Sequence, residues 1–221
     1  MENYSCHKII YSIVALMAIL STGYTQEKGT VEHLGNINKL ITVNRSISLE
    51  TEKESGYIRV SEAKGEGLVW LPIEHFTTGT IQVELRGKDV FQQSFIGIAF
   101  SGQNNETYEA VYCRPFNFLA KDSVRRIHAV QYIAHPEYTW KRLREERNGV
   151  FEKEIKNPPN PSDWFTMTLK ITENQVVVII NNSADPSLTV TRIHPNQKGK
   201  IGLYTGDSSG GDFRNLVYTH N

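Results

Sequence analysis

Apolar and polar residues alternate in short runs along most of this chain, and the runs are separated by Gly, Asn, Asp and Pro. That is the period-two signature of half-buried β-strands, in which successive side chains point to opposite faces. In residues 80–86, Ile81, Val83 and Leu85 share one face, and Thr80, Gln82, Glu84 and Arg86 the other. Residues 164–171 repeat the pattern with Phe165, Met167, Leu169 and Ile171 inward. Glu173 and Asn174 then turn the chain into residues 175–181, where Val177 and Ile179 oppose Val176, Val178 and Ile180. A strand apolar on both sides is expected centrally, in a sheet covered on both faces. Further runs at 67–71, 95–100, 107–114, 127–133, 187–193, 200–205 and 215–219 bring the total to roughly a dozen, which predicts an all-β sandwich of two antiparallel sheets. No amphipathic helical segment of useful length interrupts them.

Two stretches depart from the alternation. Residues 9–20 are almost wholly apolar, preceded by Lys8 and followed by Ser21, Thr22 and Gly23. A cationic start, an apolar run and small residues behind it read as a signal peptide over residues 1–25. The run falls short of the ~20 residues that span a bilayer. Its removal leaves residues 26–221 as a single domain of an exported protein, periplasmic or extracellular. The second departure is 141–163. It opens on Lys141-Arg142-Leu143-Arg144-Glu145-Glu146-Arg147 and closes on Asn157-Pro158-Pro159-Asn160-Pro161. Prolines so spaced forbid a central strand, and a long loop inside a compact domain is more often functional than idle.

Charge narrows the partners. The chain holds 24 basic and 24 acidic residues, so it lacks the basic excess that nucleic-acid binding demands. Of its two cysteines, Cys6 precedes the apolar run, which leaves Cys113 without an internal disulfide partner. No spacing of His and Cys points to zinc. No cofactor is expected. The loop from Asp207 to Asp212 has enough oxygen ligands for calcium, although hydrated turn residues explain it more simply.

Four passages carry a family resemblance. Tyr108-Glu109 opens a strand after Ile96-Gly97-Ile98-Ala99-Phe100, and Asp163-Trp164-Phe165 starts another. Val176 to Ile180 runs into Asn181-Asn182, and Gly199-Lys200-Ile201-Gly202-Leu203 is followed by Gly211-Asp212-Phe213-Arg214-Asn215-Leu216. In these the chain resembles the 3-keto-disaccharide hydrolase family, within the concanavalin A-like lectin and glucanase superfamily. The resemblance implies a concanavalin A-like jelly roll and a ligand that is an oligo- or disaccharide. It departs from the family after Glu109, where Ala110-Val111-Tyr112-Cys113 replaces further amide and acidic side chains.

Sugar sites combine flat aromatic faces with polar groups aimed at hydroxyls. The segment 108–140 is dense in both, and Tyr108, Tyr112, Asn117, Gln131, Tyr132, Tyr138 and Trp140 are the expected substrate-binding residues. The catalytic candidates are Glu109, Arg114 and His128. If the family's chemistry holds, a ketone at C3 acidifies the C2 proton; Glu109 or His128 removes it and Arg114 stabilises the enolate. Strand parity puts Tyr108, Tyr112 and Arg114 on one face and Glu109 on the other, and pairs His128 with Tyr132 against Gln131. The 141–161 stretch is expected to overhang the face with Tyr112 and Arg114. An ordinary glycosidase needs two carboxylates about 5–10 Å apart, and the Glu-X-Asp-X-X-Glu cluster of sandwich glucanases is absent. The first reading is therefore a glycoside-cleaving hydrolase on 3-keto or related disaccharides. The alternative is a non-catalytic carbohydrate-binding module. A third, an eliminase on acidic polysaccharide, draws on Arg114, Arg125, Arg126, Arg142 and Arg144.

Overall fold

The computed structural model describes residues 27–30, 37–195 and 197–221; the apolar run at 9–20 lies outside them. Among these residues fifteen strands follow one another, interrupted by two short α-helices. The first half holds β1 (Glu27–Thr30), β2 (Ile41–Val43), β3 (Ile47–Glu52), β4 (Ser55–Val60), β5 (Gly67–Trp70), β6 (Gly79–Arg86), β7 (Ile96–Gly102) and β8 (Tyr108–Cys113). Then come α1 (Ser123–Arg126), β9 (Val130–His135), α2 (Trp140–Glu146) and β10 (Glu152–Lys153). The last five strands are β11 (Phe165–Ile171), β12 (Gln175–Ile180), β13 (Leu188–Thr191), β14 (Lys200–Thr205) and β15 (Gly211–His220).

They form two antiparallel sheets packed face to face. One runs β13-β12-β11-β6-β15-β4-β3, with β1 also paired to β15; the other runs β10-β9-β8-β7-β14-β5-β2. The first half of β15 pairs β4 and its second half pairs β1, with a register shift between Arg214 and Val217 where it lies against β6. Between the sheets, Val69, Ile98, Val111 and Leu203 meet Ile81, Val83, Leu85, Met167, Leu169, Val178 and Phe213, all buried. Each such side chain stabilises the fold by roughly 1.5–3 kcal/mol relative to exposure.

The outer face of the seven-stranded sheet is also largely covered. Cross-strand partners place Leu68, Tyr204, Gly97, Tyr112, Gln131 and Glu152 in one row across it. Gly97 lets its neighbours close over it: an added Cβ would run into the backbone of Val111 and Tyr112. Above it the rings of Tyr112 and Tyr204 sit 5.3 Å apart. Gly202 answers to the same need, since its missing Cβ leaves room for the Trp70 indole, 2.7 Å from where a Cβ would stand.

The structure departs from the sequence reading in three places. β12 lies next to the edge strand β13, and its outward residues Val177 and Ile179 are only half-buried, so it is covered on one face. The strand expected over 127–133 starts at Val130, because α1 and the turn after it hold the preceding residues. The charge-rich start of the 141–163 stretch is helical, with Thr139 Oγ1 accepting the Arg142 N–H at 3.3 Å as its N-cap. Asp212, at the end of the loop considered for calcium, turns its carboxylate to Arg59 from β4 and Arg86 from β6, on the outer face of the other sheet.

Candidate functional site

A cavity of about 630 Å³ opens at one end of the seven-stranded sheet's outer face. Several elements converge there. The loop from β6 to β7 contributes Phe91, Gln92, Gln93 and Phe95, and the loop from β14 to β15 brings Asp207 and Ser208. β8 leads into Arg114, where Pro115, lacking an N–H and fixed in φ, starts a tight 3-10 turn through Asn117. Asp122 caps α1 by accepting the Val124 N–H at 2.8 Å, and the chain returns through Arg125 and His128. α2 supplies Trp140 and Arg144.

The rim is aromatic and open. Phe91 is 56% exposed and Trp140 43%, large apolar faces that an isolated domain gains nothing by showing to water. Arg125 lies over the Phe91 ring at 4.7 Å and Arg144 over the Trp140 indole at 4.9 Å. Behind them, Phe95 packs edge-on against both Phe116 and Tyr112.

The polar wall is built around Arg114 and Glu152, both buried. Arg114 donates to the His128 carbonyl at 2.8 Å, the Tyr112 hydroxyl at 3.0 Å and Gln131 Oε1 at 3.3 Å. Glu152 accepts a two-pronged pair from Arg144, at 2.7 and 2.6 Å. Its Oε2 lies 3.8 Å from Arg114 and 2.8 Å from His128 Nδ1. The His128 contact has a hydrogen bond's length but not its alignment, and Nδ1 makes no hydrogen bond among the described residues. Burial, aided by Arg144 and Arg114, holds the His128 imidazole below its ordinary pKa against the opposing pull of Glu152. The ring is therefore neutral at pH 7. Burial likewise lifts the Tyr112 hydroxyl to about 12, which keeps it a neutral hydrogen-bonding group.

The expected residues divide. Arg114, Asn117, His128 and Trp140 come together at the cavity, with Tyr112 and Gln131 directly behind Arg114. The helix that opens the 141–161 stretch lies over this face, as Trp140 and Arg144 share the cavity with Arg114. Glu109 does not join them. It faces the interior between the sheets, fully buried, where Arg192 meets it at 2.8 Å and the Tyr132 hydroxyl donates to it at 2.7 Å. Arg192 also donates to Ser101 Oγ and the Thr172 carbonyl. The carboxylate on an apolar strand thus has its partner, and that partner is structural. His128 and Tyr132 do not share a face either: Tyr132 points inward to Glu109, while His128 turns out toward Glu152.

Tyr108 and Tyr138 sit elsewhere. Tyr108 stacks on His135 with centroids 5.1 Å apart and donates to Glu66 at 2.8 Å, while Tyr204 donates to the other Glu66 oxygen at 2.9 Å. Burial tends to raise the Glu66 pKa, but His135 and the two hydroxyls outweigh it and hold the carboxyl below its ordinary value. Tyr138 packs against His194 beneath Arg142. The loop considered for calcium is divided as well: Asp207 Oδ1 accepts the Gly65 N–H, and Asp212 is taken by two arginines on the opposite sheet. Among the described residues no three His, Cys, Asp or Glu side chains gather as a metal site.

Sequence reasoning did not select Phe91, Phe95, Phe116 or Asp207 for this site. Phe91 carried a signal, a large aromatic between Asp89 and Gln92-Gln93 in a polar connection. Phe95 and Phe116 read equally well as core.

Comparison with known proteins places the architecture. No family profile matches this sequence, and no curated protein sequence matches it. Solved structures do. A Bacillus subtilis protein of unknown function with a galectin-like fold superposes with a TM-score of 0.57 at 11% identity, over 88% of this chain and 94% of that one. The carbohydrate-binding module CBM66 of Bacillus subtilis gives 0.55 at 12% identity, over 80% of this chain and 93% of that one. The exoplasmic/lumenal domain of VIP36 in its Ca2+/Man-bound form gives 0.54 at 10%, over 82% of each chain. The fold is the galectin-like, concanavalin A-like sandwich. At these identities the likeness is one of fold alone.

Proposed function

We propose that this protein is a non-catalytic carbohydrate-binding protein whose glycan site is the cavity between the β6–β7 loop, Arg114–His128 and α2. One observation carries this reading: two exposed aromatic faces, Phe91 and Trp140, stand at the mouth of a cavity walled by hydrogen-bonding side chains. Pyranose rings present C–H faces and hydroxyl edges, which match those two kinds of surface. The solved structures of similar fold include a carbohydrate-binding module and the Ca2+/Man-bound form of the VIP36 exoplasmic/lumenal domain, which accords with it. An exported location accords with the signal-like segment at residues 1–25.

Glycoside cleavage by paired carboxylates has little to draw on. Glu109 is sealed on the far side of the sheet, and Glu152 is saturated by Arg144. Asp207 is then the only carboxylate lining the cavity among the described residues. Titration calorimetry against a neutral and acidic glycan panel, with product analysis of each mixture, tests the reading. Saturable binding without cleavage is expected; release of new reducing ends would overturn it.

A second reading retains one specific support. His128 is neutral, has a carboxylate behind Nδ1 and lies beside Arg114, the arrangement of a general base next to a cationic stabiliser. If cleavage of a 3-keto-disaccharide is observed, His128→Gln should lower it by about 10²–10⁴-fold.

A further inference from the structure

The charges around the cavity do not balance. Arg114, Arg125 and Arg144 line it, and among the described residues the carboxylates beside them are Glu152 and Asp207. Arg144 occupies both oxygens of Glu152. Asp207 is exposed, with one oxygen taken by the Gly65 N–H. Arg114 is left with neutral acceptors, a carbonyl, a hydroxyl and an amide oxygen, and only a 3.8 Å approach to the already shared Glu152. Arg125 donates from Nε to Asn117 Oδ1 at 3.2 Å and from Nη2 to the Phe116 carbonyl at 2.6 Å, both uncharged. Its Nη1 makes no hydrogen bond among the described residues, and Phe91 holds the guanidinium plane from one side.

Cation density at a partly desolvated wall is costly unless an anion completes it. Guanidinium groups fixed by neutral hydrogen bonds keep their geometry and leave their charge free for a ligand, with the fork suited to a planar carboxylate or a sulfate. On the reading that the cavity binds glycan, we infer that its ligand is an anionic saccharide, a sugar acid whose charged group lies against Arg125 and Arg114 while a ring face packs on Trp140. Uronate and sulfate esters share this chemistry, and the experiment separates them.

The probes are an oligogalacturonide, a hyaluronan tetrasaccharide and a heparin-derived tetrasaccharide. Each is paired with its neutral or less charged counterpart, methyl-esterified, carboxyl-reduced or desulfated, and titrated by calorimetry into the full mature chain. At least one charged form should bind ten-fold or more tightly than its counterpart. That preference should shrink several-fold between 50 and 500 mM NaCl, because exposed charge pairs are screened. Arg125→Gln should remove most of it, while Trp140→Ala weakens charged and uncharged forms alike. Loss with the ester but not with desulfation assigns the carboxylate; the reverse assigns the sulfate. Salt dependence is read on the unaltered protein, so the inference stays testable even if Arg125→Gln lowers the melting temperature. Neutral glycans bound as well as or better than charged ones would overturn the anion and leave glycan binding standing. No binding across the whole panel would overturn both.

Discussion

Two arginine–carboxylate assemblies occupy opposite faces of the same sheet, and they are built on different terms. Inside the sandwich, Glu109 on β8 meets Arg192 one to one, with both side chains wholly buried. Tyr132, Ser101 and the Thr172 carbonyl take up further bonding capacity. Outside it, one carboxylate, Glu152, is shared among Arg144, Arg114 and His128, and Arg125 meets no carboxylate among the described residues. The first assembly is closed and balanced, so its chemistry is spent on the fold. The second is open, cationic and beside a cavity, so part of its bonding capacity is available. Burial of a charged residue is therefore no sign of function; an incompletely compensated charge facing a cavity is a better one.

The largest effect should come from breaking the closed assembly. Glu109→Gln leaves Arg192 buried opposite a neutral amide, and loss of one partner from a buried pair costs about 3–5 kcal/mol. Urea denaturation should show that loss, with glycan affinity of the folded fraction unchanged. A stable variant that no longer binds sugar would move the site to the inner face and break the comparison. Next comes Glu152→Gln, which takes the charged partner from Arg144 and Arg114 together. A stability loss of about 1.5–3 kcal/mol is expected for charged hydrogen bonds of this kind. Affinity for an anionic probe should nonetheless rise, since the variant carries one negative charge fewer at the wall; a fall would show Glu152 to be an organiser of the site above all. Smaller again is Trp140→Ala. Nearly half-exposed, the indole contributes little to the core, so stability should stay within about 0.5 kcal/mol. Binding should weaken about ten-fold or more, as for a central aromatic contact.

How far the sequence reached depends on which signals are local. β6 and β11 were legible because period two over seven or eight residues has no competing explanation. The β3–β4 hairpin was not. Its tip is Lys53-Glu54, both at positive φ (46° and 67°), where a two-residue turn ordinarily announces itself with Asn-Gly or Asp-Gly. α2 hid inside a charged run too short for an amphipathic stripe. Parity correctly separated Glu109 from Tyr112 and Arg114, but it cannot say which set faces the other sheet. That depended on Arg192, 83 residues downstream, whose partnership no local pattern encodes. Conversely, the segment 108–140 was recognisable as the site's source because aromatic and basic residues crowd there. Phe91 and Asp207 reach the cavity from other strands' loops, a juxtaposition made only by the sheet order.

The finest distinction between the assemblies is their response to acid. His128 belongs to the open one, faced by Glu152, Arg144 and Arg114, and its folded-state pKa is below the ordinary value chiefly because it is partly buried. A histidine that binds its proton more weakly when folded leaves the unfolded chain holding more protons as the pH falls. Its stabilising contribution is thus complete above pH ~6.5, declines as pH drops through that value, and levels off below the folded pKa. The slope cannot exceed one proton, about 1.4 kcal/mol per pH unit. Stability measured from pH 7.5 to 5 should therefore fall less steeply in His128→Gln than in the unaltered protein. An anionic ligand sharpens the test. Bound beside His128, it favours the imidazolium and should raise the histidine's pKa, so NMR titration should show His128 protonating at higher pH in the complex than in the free protein. No shift with a saturating uronate probe would place the ligand's charge away from Arg114 and His128. A shift of equal size with the methyl ester would trace to burial or rearrangement instead of to the anion.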